Sequence, residues 1–233
     1  MKDWTMEFCK SASRSLTQRR HCILLGLALG IAGGSALAAP THAKPAVPPG
    51  PVLVLGDSLS AEYGLARGKG WVSLLQQRLQ AEKNPLPVVN ASVSGETTAG
   101  GRSRLPALLA QHKPSVLVLE LGGNDALRGL ALQSTQGNLQ AMVKMARESG
   151  ARILLVGMQV PPNYGAAYTQ QFADMFTQIA AKEKLPLVPF LLSGIGDARD
   201  SDQWFQPDRI HPNAKAQPHM LENVWPQLRP LLK

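Results

Sequence analysis

The 233-residue chain carries 24 Lys and Arg against 16 Asp and Glu, a formal charge of +8, and is 44% hydrophobic. That balance suits a globular core, and the basic residues are scattered without interleaved aromatics, which argues against a nucleic-acid footprint. Its only cysteines, Cys9 and Cys22, lie in the first 38 residues, so the remaining chain holds no disulfide, thiolate nucleophile or Cys-ligated metal.

Residues 1–38 read as a secretory signal peptide. Lys10, Arg14, Arg19 and Arg20 form a basic region, and the apolar run "CILLGLALGIAGGSALA" ends in the small-residue pattern Ala36-Leu37-Ala38. The run is short for a membrane span of about 20 residues, so cleavage after Ala38 or Ala39 is expected, with no stable membrane anchor. The Arg19-Arg20 pair sits in a poor match to a twin-arginine signal. Cys22 opens the apolar run instead of closing it, which argues against a lipoprotein. Cleavage removes five basic and two acidic residues, leaving a charge of +5 and an open question of loose attraction to anionic lipid surfaces. Residues 39–50, "APTHAKPAVPPG", read as a Pro-rich leader and residues 51–233 as one domain, periplasmic or secreted.

Within that domain short apolar runs alternate with longer amphipathic ones. Strands are expected over 52–55, 87–91, 115–121, 152–158 and 186–190, and helices over 71–82, 101–111, 135–149, 168–184 and 214–232. Phe172, Met175, Phe176 and Ile179 recur at helical spacing as a core stripe, and Met142, Val143 and Met145 read as core. The alternation predicts an α/β fold with a parallel sheet covered on both faces. Right-handed crossovers then bring the carboxyl ends of all strands to one rim. The polar residues after the strands should meet there: Asp57 and Ser58, then Ser94, Gly95 and Glu96, then Gly122, Gly123, Asn124 and Asp125, and finally Asp208 and His211.

Those are the parts of an acyl-transfer site. A serine hydroxyl attacks a carbonyl only when a base takes its proton. Of five histidines, His21 falls in the signal, His42 in the leader, His112 in an exposed loop and His219 inside the last helix; only His211 lies in a loop after a strand. Asp208, three residues earlier, is placed to accept from Nδ1 and leave Nε2 for Ser58. A metal reading of the pair lacks further ligands nearby. For an oxyanion the rim offers the N–H of Ser58, the N–H of Gly95 and the amide of Asn124. Singly, each residue has a plainer reading: Asp57 and Ser58 as a helix cap, Gly95 as a turn glycine, Asn124 as an Asx-turn, His211 as an exposed turn residue.

Together, "GDSLS", "NASVSGET", "ELGGND" and "DRIHPN" resemble the four blocks of the SGNH, or GDSL, hydrolases. The match is nearest to the bacterial multifunctional thioesterase I, protease I and lysophospholipase subfamily. The resemblance implies a three-layer flavodoxin-like fold with five parallel strands, a triad of Ser58, Asp208 and His211, and an oxyanion hole of Ser58, Gly95 and Asn124. It implies an acyl-serine mechanism on acyl esters, thioesters or lysophospholipids, without cofactor or metal, in a monomer. The chain is not a common α/β-hydrolase, because Ser60 stands where G-x-S-x-G requires glycine. Acyl-chain contacts are expected from Leu59, Leu127, Leu130, Val160 and Tyr164 on the rim. Two departures bear on substrate choice: Glu62 brings an acid near the nucleophile, and Asp197, Asp200 and Asp202 make an acidic loop whose spacing misses the EF-hand pattern. A carbohydrate O-deacetylase and a non-catalytic lipid- or surface-binding protein are the rival readings.

Overall fold

The computed structural model describes residues 50–84 and 86–233. The expected signal peptide, both cysteines and all of the leader but Gly50 lie outside the described residues. Five strands, β1 (Val52–Gly56), β2 (Val88–Asn90), β3 (Val116–Glu120), β4 (Arg152–Val156) and β5 (Leu187–Val188), form one parallel sheet in the order β2-β1-β3-β4-β5. This is the expected five-stranded parallel α/β fold. Among the described residues six helices connect or follow the strands: α1 (Trp71–Ala81), α2 (Thr98–His112), α3 (Gly123–Leu127), α4 (Leu132–Glu148), α5 (Ala166–Glu183) and α6 (Gln217–Leu228). Helix α1 packs with α6, while α2, α4 and α5 pack in series. Every residue of β1 and β3 is buried, so neither strand shows the alternation of a sheet with a wet face.

Strands β2 to β5 are shorter than the apolar runs that announce them. Pairing of β5 stops at Leu187 and Val188 because Pro186 and Pro189 flank it, and proline offers no N–H to a ladder. The last helix begins at Gln217, not Ala214, so that Pro218 falls in the first turn, where its missing N–H costs nothing. It ends at Leu228 and gives way to a 3-10 turn over Arg229–Leu232. Helix α2 begins three residues earlier than expected, despite two glycines. Thr97 caps it, and the buried carboxylate of Asp125 accepts the Thr98 N–H at 2.8 Å. Helix α3 is absent from the sequence reading, since five residues give no period to detect. Apart from α3, these differences lie at element ends, and the strand order puts the β1 and β3 ends side by side. There the connections diverge to opposite sides of the sheet, the usual place for a ligand in this topology.

Candidate active site

Strand β1 ends on Gly56 because nothing larger fits. A Cβ there would lie 2.5 Å from Glu120 Oε2 and 2.8 Å from Ser60 Oγ. Beyond it the chain turns tightly: the carbonyl of Asp57 accepts the N–H of Ser60 (3.2 Å) and of Ala61 (2.9 Å), and Asp57 Oδ1 accepts the N–H of Leu59 (3.0 Å). Ser58 sits half-buried at the head of this turn. Under it Ser60 donates to Glu120 Oε2 at 2.7 Å and accepts from the Trp71 indole at 3.2 Å. Glu120 is fully buried at the end of β3, and its other oxygen has no partner among the described residues. Burial pushes its carboxyl well above the ordinary range, and the charge of Asp57 adds to the push.

The Asp208–His211 turn is built around one carboxylate. Asp208 Oδ1 accepts the N–H groups of Ile210 and His211, both at 3.0 Å, and Oδ2 lies 2.7 Å from His211 Nδ1. Desolvation works to raise this carboxyl, but the His211 and Ile210 N–H groups and the imidazole outweigh it and hold it at about 2. Arg209 takes φ +58° to close the turn. His211 Nε2 then lies 2.9 Å from Ser58 Oγ. The two loops are tied together by residues the sequence reading did not single out. Gln206 donates to the carbonyls of Tyr63 (2.8 Å) and Pro212 (3.2 Å), and the Tyr63 ring lies 4.3 Å from the imidazole. Gln217 accepts the Trp71 N–H at 3.0 Å.

Gly95 adopts φ +76°, and Arg128 donates to its carbonyl at 2.8 Å. The N–H groups of Ser58 and Gly95 have no acceptor among the described residues. Asn124 is differently placed from a free donor. Its Nδ2 donates to Asp57 Oδ2 and to the Glu96 carbonyl, both at 3.1 Å. The acid at Glu62 is not a site group: its oxygens accept from Gly68 N–H (3.0 Å), Gly70 N–H (2.8 Å) and the Ser73 hydroxyl (2.7 Å), holding the loop into α1. In the acidic loop, Asp197 accepts the Gly194 N–H, Asp200 pairs with Gln203 and Asp202 faces Arg209 at 3.5 Å.

Of the expected acyl contacts, Leu127, Leu130 and Tyr164 are exposed by 43%, 41% and 38%. Leu59 is half-buried against the core. Val160 is buried in the core. The large exposed hydrophobics of the described residues also include Tyr63, Val93 and Ile210. All six lie in segments that follow strands of the sheet, and the Tyr63 ring lies against the His211 imidazole. Two surface clefts, one between α4 and α5 and one beside the start of β4, include no residue of the Ser58, His211 and Asp208 group.

Residues 54–217 match the family model of the GDSL-like Lipase/Acylhydrolase family. The chain belongs to that family. This GDSL-like acylhydrolase is 54% identical over 181 residues to Esterase TesA of Pseudomonas aeruginosa, covering 78% of this chain and 89% of that protein. It is 40% identical over 181 residues to the Thioesterase 1/protease 1/lysophospholipase L1 of Escherichia coli strain K12, covering 78% and 84%. Among solved structures, the psychrotrophic esterase EstA from Pseudoalteromonas sp., inhibited by monoethylphosphonate, aligns with a TM-score of 0.73 at 40% identity. That alignment covers 78% of this chain and 98% of the other. Family membership, with relatives named esterase and thioesterase at this identity and coverage, makes the acylhydrolase an SGNH-type ester hydrolase. No helix among the described residues is long and apolar enough to cross a membrane.

Proposed function

We propose that the protein is an exported serine hydrolase that transfers acyl groups from esters and thioesters to water through an acyl-Ser58 intermediate. One observation carries the reading: the continuous line from Ser58 Oγ to His211 Nε2 at 2.9 Å and from His211 Nδ1 to Asp208 Oδ2 at 2.7 Å. As Ser58 Oγ bonds to the carbonyl carbon, Nε2 takes its proton and the carbonyl π pair moves to oxygen. The N–H groups of Ser58 and Gly95 and the amide of Asn124 receive that charge. Collapse breaks the bond to the alkoxide or thiolate, which leaves with the proton held by His211. Water, deprotonated by the same nitrogen, then releases the acid and restores Ser58. Asp208, ionised at every working pH, holds Nδ1–H in place and faces the imidazolium.

The aliphatic rim supports an acyl chain as the recognised group, with Leu127, Leu130 and Tyr164 as its contacts. Free esters, acyl thioesters and lysophospholipids share that feature, and an acetylated sugar does not. All of the proposed machinery comes from one chain, in keeping with a monomer. Export rests on the basic and apolar pattern of residues 1–38. An organophosphonate probe should modify Ser58, and Ser58→Ala should lose both labelling and hydrolysis. A panel of p-nitrophenyl esters of rising chain length, palmitoyl-CoA, lysophosphatidylcholine and an acetylated sugar checks the substrate class. Labelling that survives Ser58→Ala, or turnover of the acetylated sugar alone, would overturn the proposal. A mature N-terminus at Ala39 or Pro40 in exported protein is the expected mass-spectrometric result.

A further inference from the structure

Behind the nucleophile lies a carboxyl that the reaction above leaves without a task. Asp57 is buried, and its two oxygens face two different donors. Oδ1 accepts the Leu59 N–H at 3.0 Å, and Oδ2 accepts an Asn124 amide hydrogen at 3.1 Å. Its own N–H points at Glu120 Oε2, 3.3 Å away. One side chain therefore ties the turn that carries Ser58 to the first turn of α3, across the boundary where the β1 and β3 connections part.

The Asn124 amide has two hydrogens, and both are engaged: one on Asp57, the other on the Glu96 carbonyl. The two acceptors are unequal. A hydrogen bond to an ionised carboxylate is roughly twice as strong as one to a neutral carbonyl. An oxyanion entering the hole exchanges with the weaker acceptor, Glu96, and the amide stays in register only while the stronger one holds it. We propose that Asp57 is a positioning residue whose carboxylate grips one hydrogen of the Asn124 amide and the Leu59 N–H. The second amide hydrogen and the Ser58 N–H are thereby aimed together at the oxyanion. This rests on the reading of Ser58 as nucleophile and Asn124 as oxyanion donor.

Charged and polar groups face Asp57 from every side. Glu120 faces it from β3, Asn124 and Asp125 from α3, and His211 from the loop after β5. Burial pushes Asp57 up to about 6, with Asp125 adding to the rise and Leu59 N–H, His211 and Asn124 opposing it. Burial and the charge of Asp57 push Glu120 well above its ordinary value as well. Asparagine cannot replace Asp57 in this role. Two donors approach two oxygens, and an amide offers one acceptor and one donor, so in either orientation one N–H meets another N–H.

The test is a double-substitution cycle on the full chain, read by hydrolysis of a p-nitrophenyl ester, phosphonate labelling and a melting curve. Asp57→Asn should lower kcat about ten- to a hundredfold with KM little changed, as for a misplaced reacting geometry. Asn124→Ala should lower kcat about a hundred- to a thousandfold. Added to Asn124→Ala, Asp57→Asn should cost clearly less than it does alone, because one of the two donors it positions is already gone. Losses that multiply, or an unchanged kcat in folded Asp57→Asn, overturn the proposal. Should Asp57→Asn fail to fold, the exchanged pair Asp57→Asn with Asn124→Asp restores a hydrogen bond between the two side chains. It is expected to fold and stay as slow as Asn124→Ala, and wild-type kcat in that pair overturns the proposal. Phosphonate labelling separates the two levels. No labelling of Ser58 in the unsubstituted protein removes the nucleophile reading and this one with it, whereas normal labelling with multiplying losses removes the role of Asp57 alone.

Discussion

Gly56→Ala tests whether the close packing beneath the nucleophile matters to catalysis. The added Cβ would stand 2.5 Å from Glu120 Oε2, 2.8 Å from Ser60 Oγ and 2.9 Å from Ser60 Cβ, where ordinary contact begins at 3.4 Å. Relief needs a shift of about 0.9 Å at Glu120. That oxygen is the far end of a side chain, but it is held by Ser60 and by the Asp57 N–H in a fully buried site, so it has nowhere to go without moving the turn. Overpacking of a filled core costs about 1–3 kcal/mol. At about 2–4 °C per kcal/mol for a domain of this size, the melting temperature should fall by about 2–12 °C. Ser58 lies two residues from the substitution, and a displacement near 1 Å at a reacting group costs on the order of a hundredfold in rate. The assay is kcat and KM on a p-nitrophenyl ester with a thermal melt of the same preparation. The expected result is a lower kcat, a nearly constant KM and a lower melting temperature. A variant matching wild type in both kcat and melting would refute the reasoning.

Three further outcomes are expected. Asp208→Asn should lower kcat by about 10⁴-fold with a small change in melting, because one amide oxygen cannot serve the two backbone N–H groups and Nδ1 together, and the imidazole loses its working tautomer; steady-state kinetics with a melting curve checks it. Glu120→Gln should be stabilising by an amount that grows with pH: a carboxyl whose folded pKa is raised contributes stability that is complete below the unfolded value of about 4.3 and is lost as pH rises towards the folded one. Melting curves from pH 4 to 9 measure the gap, and a gap that is flat or narrows with pH contradicts a raised Glu120 carboxyl. Gly137→Ala, in α4 with open space around the new Cβ, should gain up to about 1 kcal/mol and leave kcat unchanged, so a loss of stability there would count against the helix as described.

Much of this protein is legible in one dimension. The apolar runs at 115–121 and 152–158 contain β3 and β4, and 52–55 covers all of β1 but Gly56, because a strand buried on both faces must be apolar. The spacing of Asp208 and His211 is local, so a single turn can bring both the carboxylate and the N–H groups it binds into place. Helix ends were less legible. The start of α2 depends on Asp125, a residue 27 positions away, and the extent of β5 depends on prolines at its borders.

The order of the rim could be inferred from the alternation of strands and helices, but its electrostatics could not. Glu120 reads in sequence as an acid at the end of an apolar strand, with nothing to tell whether it faces water. Only the register of β3 against β1 places it opposite Gly56 and under Ser60, and only that burial pushes its carboxyl well above the ordinary range. The same holds for Glu62, which looks like a second acid beside the nucleophile until folding turns it onto Gly68, Gly70 and Ser73. Val160 stands near Tyr164 in the chain, yet folding puts one in the core and leaves the other exposed. Residue type and local spacing therefore determined which groups this protein has and the turn that pairs Asp208 with His211. Tertiary packing decided which of them carry charge, which hydrogens of Asn124 are engaged and which apolar side chains stay exposed, because desolvation and hydrogen-bond competition depend on neighbours that the linear order does not bring together.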